Sequence, residues 1–226
     1  MAITFTWLGH GTSSLAIGKS RVVIDPYFTD NPAAPSKVDV IQADFILVTH
    51  GHGDHVGDVE TLAKGTGALV IANNEIAGWF KKKGLKTHGQ HIGGGHQHPF
   101  GHLKLTMAVH GSELPDGSGG GTPAGLLITA EGKKIYLAGD TGLFGDMKLI
   151  GEEGIDLAVL PIGDNYTMGP DDALRAVKLL DPKHVVPVHY NTWDIIKQDP
   201  DAWAQRVQKE TKSLPHVLKP GESLTL

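Results

Sequence analysis

The chain has 226 residues, a formal net charge of −5 with histidine neutral, 40% hydrophobic and 20% charged residues, and no cysteine. That composition describes a globular protein large enough to bury a core, and it excludes disulfides and thiolate metal ligands. The acidic balance argues against a general nucleic-acid binder, which needs clustered Lys and Arg to neutralise phosphates.

Ile3–Trp7 alternates with period two and reads as a half-buried strand. Strands over 14–17 and 21–24 follow, joined by the hairpin signal Gly18-Lys19-Ser20. Asp25-Pro26 and the Pro-rich stretch 31–36 read as loop. The apolar run Phe45-Ile46-Leu47-Val48 reads as a buried strand, followed by a helix over 56–64 and a strand over 68–72. A capped helix is expected over 74–83, ending in a solvated basic turn, Lys81-Lys82-Lys83. The Gly- and His-rich stretch 87–101 reads as an irregular excursion. A strand over 103–109 runs into His110, the loop 116–121 is Gly-rich, and a strand pair over 125–129 and 134–138 turns at Glu131-Gly132. A strand over 157–160 precedes a helix over 170–180, with Pro170 suited to its first turn and Asp171 and Asp172 to its dipole. A strand over 184–188 ends at His189, and a helix over 200–212 and short strands close the chain. No repeat or linker divides it, so 1–226 reads as one domain. No apolar run approaches the ~20 residues of a membrane-spanning helix. The N-terminus lacks the charged and apolar regions of a secretion signal. A cytoplasmic protein without membrane insertion is therefore the expectation.

The stretch Thr49-His50-Gly51-His52-Gly53-Asp54-His55 places four candidate metal ligands within six residues. Imidazole and carboxylate donors together suit zinc, iron, nickel or manganese. Other apolar strands end at His110, at Gly139-Asp140 and at His189. Ligands at the same end of several strands can converge although they are far apart in sequence.

In type, order and strand-end position, His50, His52, Asp54, His55, His110, Asp140 and His189 resemble the H-x-H-x-D-H … H … D … H pattern of the metallo-β-lactamase superfamily, over nearly the whole chain. The resemblance implies an α/β (α+β) fold, a four-layer αββα sandwich with two mixed sheets face to face and metals at one sheet edge. It implies that His50, His52 and His110 hold one ion, that Asp54, His55 and His189 hold a second, and that Asp140 bridges them. The expected cofactors are two divalent ions, zinc first, with Mn, Ni, Fe or Co acceptable to the same donors. The implied function is a hydrolase that uses a metal-bridged hydroxide on a small anionic ester, lactone or phosphodiester.

Trp7-Leu8-Gly9-His10 and the stretches 139–146, 161–170 and 187–192 resemble a small metal-dependent hydrolase branch related to ascorbate-phosphate lactonases and N-acyl-phosphatidylethanolamine phospholipases. Branch members often carry Ser after the third-motif His; here Gly111 follows His110, with Ser112 next. In the lactonase-like branch the position of His10 lies near the metals. His10 is therefore read, with Asp54, as catalytic: a donor to the leaving group, or a group that orients a ligand. The alternative is a hydrogen-bonded histidine beside a tight turn.

Other residues carry weaker signals. His88, His91, His96, His98 and His102 alternate with glycine and read as solvated loop, a third metal site being the alternative. Of these His91 stands out, because His91-Ile92-Gly93-Gly94 resembles a branch motif near the site. His102 is the rival of His110 as a ligand. Asn165, Tyr166 and Thr167 either line the pocket or cap the following helix, and Asn191 and Trp193 either face substrate or anchor a loop. His184 and His216 read as surface or packing residues. The expected partner is a small molecule rather than nucleic acid, and a homo-oligomer is left open. The competing functions are a nuclease of the same fold, which would need a basic arm, and a non-catalytic metal-binding sensor, which the complete ligand set opposes.

Overall fold

The strand segments of the N-terminal part form most of a seven-stranded sheet in the computed structural model, which describes residues 2–226. Its strands are β1 (Ile3–Trp7), β2 (Ser13–Ile17), β3 (Ser20–Ile24), β4 (Phe45–Leu47), β5 (Leu69–Asn73) and β6 (Thr87–Gln90). The C-terminal β14 (Ser223–Thr225) adds to β1, giving the order β14-β1-β2-β3-β4-β5-β6. The second sheet holds β7 (Gly95–His98), β8 (Gly101–Met107), β9 (Ala124–Ala130), β10 (Lys133–Leu137), β11 (Leu157–Pro161), β12 (His184–Val188) and β13 (Leu214–Pro215), ordered β13-β12-β11-β10-β9-β8-β7. The helices are α1 (Gly53–Val56), α2 (Val59–Thr66), α3 (Asn74–Lys82), α4 (Met147–Gly151), α5 (Pro170–Leu180) and α6 (Pro200–Glu210). Two mixed sheets with flanking helices make the α/β sandwich expected of the metallo-β-lactamase fold.

Strand alternation assigns the layers. In β3, β4 and β5, the side chains of Val22, Ile24, Leu47 and Ile71 join the core shared with Leu105, Leu126 and Ile128 of the second sheet. Their neighbours Val23, Ile46, Val70 and Ala72 join a second core with Leu62 of α2 and Ile76 and Phe80 of α3. These strands are buried on both faces, which is why they read as continuous apolar runs. On the second sheet, Leu174 and Val177 of α5 and Trp203 and Val207 of α6 cover β11 and β12 within the main core. Among the described residues, no helix is long and apolar enough to cross a membrane.

Strand direction places the ligand loops. β3, β4, β5 and β6 are parallel neighbours, and β1 runs the same way because two antiparallel steps, through β2, separate it from β3. In the second sheet β10, β11 and β12 are parallel, and β8 shares their direction through antiparallel β9. The C-terminal ends of β1, β3, β4, β8, β10 and β12 therefore each open at the same edge of their sheet.

Two sequence expectations need correction. The helix expected over 56–64 is two helices, because Asp58 leaves the helical region with φ −108° and ψ 7°. Its carboxylate instead accepts hydrogen bonds from the backbone N–H groups of Phe28 (2.6 Å) and Thr29 (2.8 Å) and from the Thr29 hydroxyl (2.7 Å). The stretch 87–101 is not irregular. It forms edge strands β6 and β7, and the chain passes from one sheet to the other between them. The short helix α4 carries too little periodicity to be read in advance.

The triple anchor on Asp58 yields a stability prediction. Asp58→Ala strands two backbone donors on the buried side of the 26–31 loop. It should lower unfolding stability by about 2–4 kcal/mol, seen as a lower urea midpoint with an unchanged m-value. An unchanged midpoint would show that water replaces the carboxylate at no cost.

Candidate metal centre

Six segments meet at this edge, and the structure brings together all seven residues expected as ligands. The loop after β4 supplies His50, His52, Asp54 and His55, with α1 turning Asp54 and His55 back toward the sheet. The donor atoms of His50, His52 and His110 lie within 4.8 Å of one another. Their rings are nearly perpendicular, with centroids 4.7 Å apart for His50–His52 and 5.0 Å for each pair with His110. Asp54, His55 and His189 form a second group within the same limit, joined by His10. One oxygen of Asp140, Oδ2, touches both groups: it lies 3.0 Å from His189 Nε2, 3.5 Å from His55 Nε2, 3.6 Å from His110 Nε2 and 3.9 Å from His50 Nε2.

Asp25, which ends β3, is a functional residue that sequence reading missed. Its buried carboxylate accepts from Thr49 N (2.8 Å), Thr49 Oγ1 (2.6 Å) and His55 Nδ1 (2.9 Å). A carboxylate can only accept, so His55 carries its proton on Nδ1 and turns the Nε2 lone pair into the site. The Thr49 hydroxyl, having given its proton to Asp25, accepts from His50 Nδ1 at 3.0 Å. His50 is thereby fixed in the same tautomer. The only advance signal was the position of Asp25 at a strand end on the ligand edge; an Asp-Pro pair otherwise reads as a turn.

Close backbone approach completes the packing. A Cβ on Gly11 would sit 2.7 Å from His55 Cε1, so only glycine lets the first loop pass over that ring. Gly139 has φ +63°, and its Cβ would meet Thr49 Cβ at 3.0 Å. Asp25, His10 and His189 themselves hold positive φ of 47°, 55° and 55°. Such backbone strain collects at functional sites, where the surrounding structure enforces it.

His10 is fully buried, and both its ring nitrogens are engaged. Nε2 lies 2.9 Å from Asp54 Oδ2 and Nδ1 lies 2.8 Å from Thr192 Oγ1. Burial pushes its imidazole down to about 4 despite the bond to Asp54. It is neutral at pH 7, donating through Nε2 to the carboxylate and accepting the Thr192 hydroxyl at Nδ1. No nitrogen is free to protonate a leaving group, so the geometry favours the orienting role over the acid.

The electrostatics call for a cation. Burial alone would raise the Asp140 carboxyl, but His189 and His55 outweigh it and hold it well below the usual carboxylate range. Burial opposes charge on His55 and His189, yet Asp140 and its fellow carboxylates lift both; His189 reaches about 9. Among the described residues, every ion-pair partner of Asp140 is a histidine. A buried carboxylate needs positive charge beside it, and with only imidazoles available that charge is a proton or a metal. His189 Nδ1 is buried with no hydrogen-bond partner, while the Nε2 atoms of His55 and His189 face the carboxylate oxygens of Asp54 and Asp140. Imidazole lone pairs and carboxylates converging in two adjoining groups fit divalent ions of the zinc type.

The groups open into a cleft of about 630 Å³. Tyr27, Tyr166, Trp193 and Ile195 form an aromatic and apolar wall, and among the described residues no Lys or Arg lines it. Tyr166 and Trp193 thus face the cleft, whereas Asn191 anchors its loop by accepting from Gln198 N at 2.7 Å. Asn165 and Thr167 do not cap α5, whose N-cap is Gly169 without a side-chain bond. Ser112 Oγ accepts from Gly51 N at 3.1 Å and so braces the ligand loop. His102 lies on β8, outside both ligand groups. His91 is exposed and does not line the cleft. His184 and His216 pair with each other at 2.9 Å.

Comparison with known proteins identifies the family. The beta-lactamase superfamily domain matches residues 20–190. A protein of Thermus thermophilus named UPF0173 metal-dependent hydrolase is 52% identical over 220 residues, covering 97% of this chain and 97% of its own length. A protein of the same name from Heliobacterium modesticaldum is 50% identical, covering 98% of this chain and 96% of its own. The solved structure of Igni18, described as a novel metallo hydrolase from Ignicoccus hospitalis, superposes with a TM-score of 0.93 at 36% identity, covering 100% of this chain and 99% of that one. The chain belongs to the metallo-β-lactamase superfamily, among the relatives named UPF0173 metal-dependent hydrolases.

Proposed function

We propose that this metal-dependent hydrolase works with two divalent ions, zinc or a close substitute, on a small ester, lactone or phosphodiester. The supporting observation is the pairing of two donor groups, His50/His52/His110 and Asp54/His55/His189, through the single oxygen Asp140 Oδ2. Ions held there would supply a water acidified enough to attack at neutral pH and a Lewis acid for the substrate oxygen. The chain's own residues do the rest. Asp25 and Thr49 set the tautomers of His55 and His50. His10 and Thr192 hold Asp54 in one orientation. Trp193, Tyr166 and Ile195 receive the apolar part of the substrate and keep bulk water from it. With no Lys or Arg in the cleft, a negative charge on the substrate would be met at the centre itself, and a polynucleotide finds no basic track.

Asp140→Asn tests the pairing. It keeps the size of the side chain but removes the charge between the two groups. Metal content should fall toward one ion per chain, and turnover of bis(p-nitrophenyl) phosphate or of a responsive lactone should collapse on the same preparation, with metal-stripped protein as control. Two tightly held ions and near-normal turnover in the variant would refute the bridging role.

His10→Ala should lower kcat about 10²-fold at saturating metal, and His10→Gln, whose amide can again donate to Asp54, should recover part of the loss. No rescue would place His10 among residues that merely pack. Asp25→Asn should weaken metal binding about 10–100-fold, measured by competition with a chromophoric chelator, because the amide presents a donor where His55 Nδ1–H also donates. Unaltered affinity would show that the His55 tautomer is fixed by other contacts.

A further inference from the structure

The segment read as a solvated loop holds a second cluster of imidazoles, away from the loops that carry the main centre. Edge strands β6 and β7 face each other where the two sheets meet. Alternation puts His88 and Gln90 on one face of β6, and His96 and His98 on one face of β7. On the opposite face of β6, a Cβ on Gly89 would meet Asn74 of α3, so His88 and Gln90 point away from that helix. The three histidine rings converge, with centroids 4.4 Å (His88–His96), 4.6 Å (His96–His98) and 5.0 Å (His88–His98) apart. One nitrogen from each lies within 4.8 Å of the other two.

His98 is built into the fold as a ligand would be. Its ring is buried and stacked on Phe100, 5.2 Å between centroids and 7° from parallel. Its Nε2 lies 3.1 Å from Gln90 Oε1, while Gln90 Nε2 donates to the carbonyl of Leu103 at 3.2 Å. The bond to Leu103 fixes the Gln90 amide with its oxygen toward His98, so His98 must donate from Nε2 and keep its lone pair on Nδ1. A histidine with one ring nitrogen committed to a fixed acceptor has its tautomer set and its other nitrogen left with a lone pair for a metal. His88 is partly buried and His96 exposed, which leaves a path from solvent.

We propose that His88, His96 and His98 form a separate three-imidazole site for one borderline divalent ion of the zinc, nickel, copper or cobalt class, with its remaining position open to water. The ion ties the edge of one sheet to the edge of the other, where the chain crosses between them. It is a staple, distinct from the hydrolytic centre.

The test compares chelator-stripped wild type with His96→Ala and His88→Ala, each dialysed against micromolar Zn²⁺ and counted by elemental analysis. His96 is exposed, so its truncation leaves the core intact. Wild type should hold one more ion per chain than either variant, and zinc should raise its melting temperature further than theirs. The one-ion difference should persist when all three proteins also carry Asp140→Asn, which separates this site from the fate of the two-metal reading. Equal ion counts in wild type and variants, or a difference that emerges only at millimolar zinc, would overturn the proposal.

Discussion

The carboxylate of Asp25 organises the centre more than any of the ligands themselves. It is buried at the end of β3 and spends its accepting capacity on Thr49 and His55. Two histidines from one loop thereby present the same nitrogen to the site, one directly and one through a hydroxyl. An imidazole offers two donor atoms, and a site with several of them has many wrong arrangements. A chain of hydrogen bonds starting from a group that cannot donate removes those arrangements before any metal arrives. The left-handed backbone of Asp25 and the glycine at position 11 are local costs of this arrangement, held in place by strands packed on both faces.

Much of the candidate centre was legible in the sequence because its candidate ligands sit where apolar strands stop. His50, His110, Asp140 and His189 each follow a buried run, and the contiguous loop His50 to His55 marks itself by density. Asp25 was not legible. An aspartate before a proline is common in turns, and its role depends on a histidine thirty residues away. His10 could be suspected, but its two bonds, to Asp54 and to Thr192, join positions that only the folded chain brings together.

The fold shows the same division. Strands buried on both faces announced themselves as continuous hydrophobic runs. Edge strands β6 and β7 did not, since their residues are largely polar or glycine and so carry no hydrophobic alternation to read. The break between α1 and α2 was equally hidden. Periodicity runs through Asp58, while its side chain bonds to the backbone of residues 28 and 29 instead of supporting a continuous helix.

Each ligand group draws on both halves of the sandwich. His50 and His52 come from the first sheet and meet His110 from the second; Asp54 and His55 come from the first and meet His189 from the second. Neither half can complete a donor group alone. During synthesis the first half emerges with several donors and no closing partner, and the last of the set arrives only once β12 has been made. Tight retention of metal is thus a report on long-range assembly. An ion captured early would be held loosely and exchange freely, and only closure of the two sheets converts capture into residence.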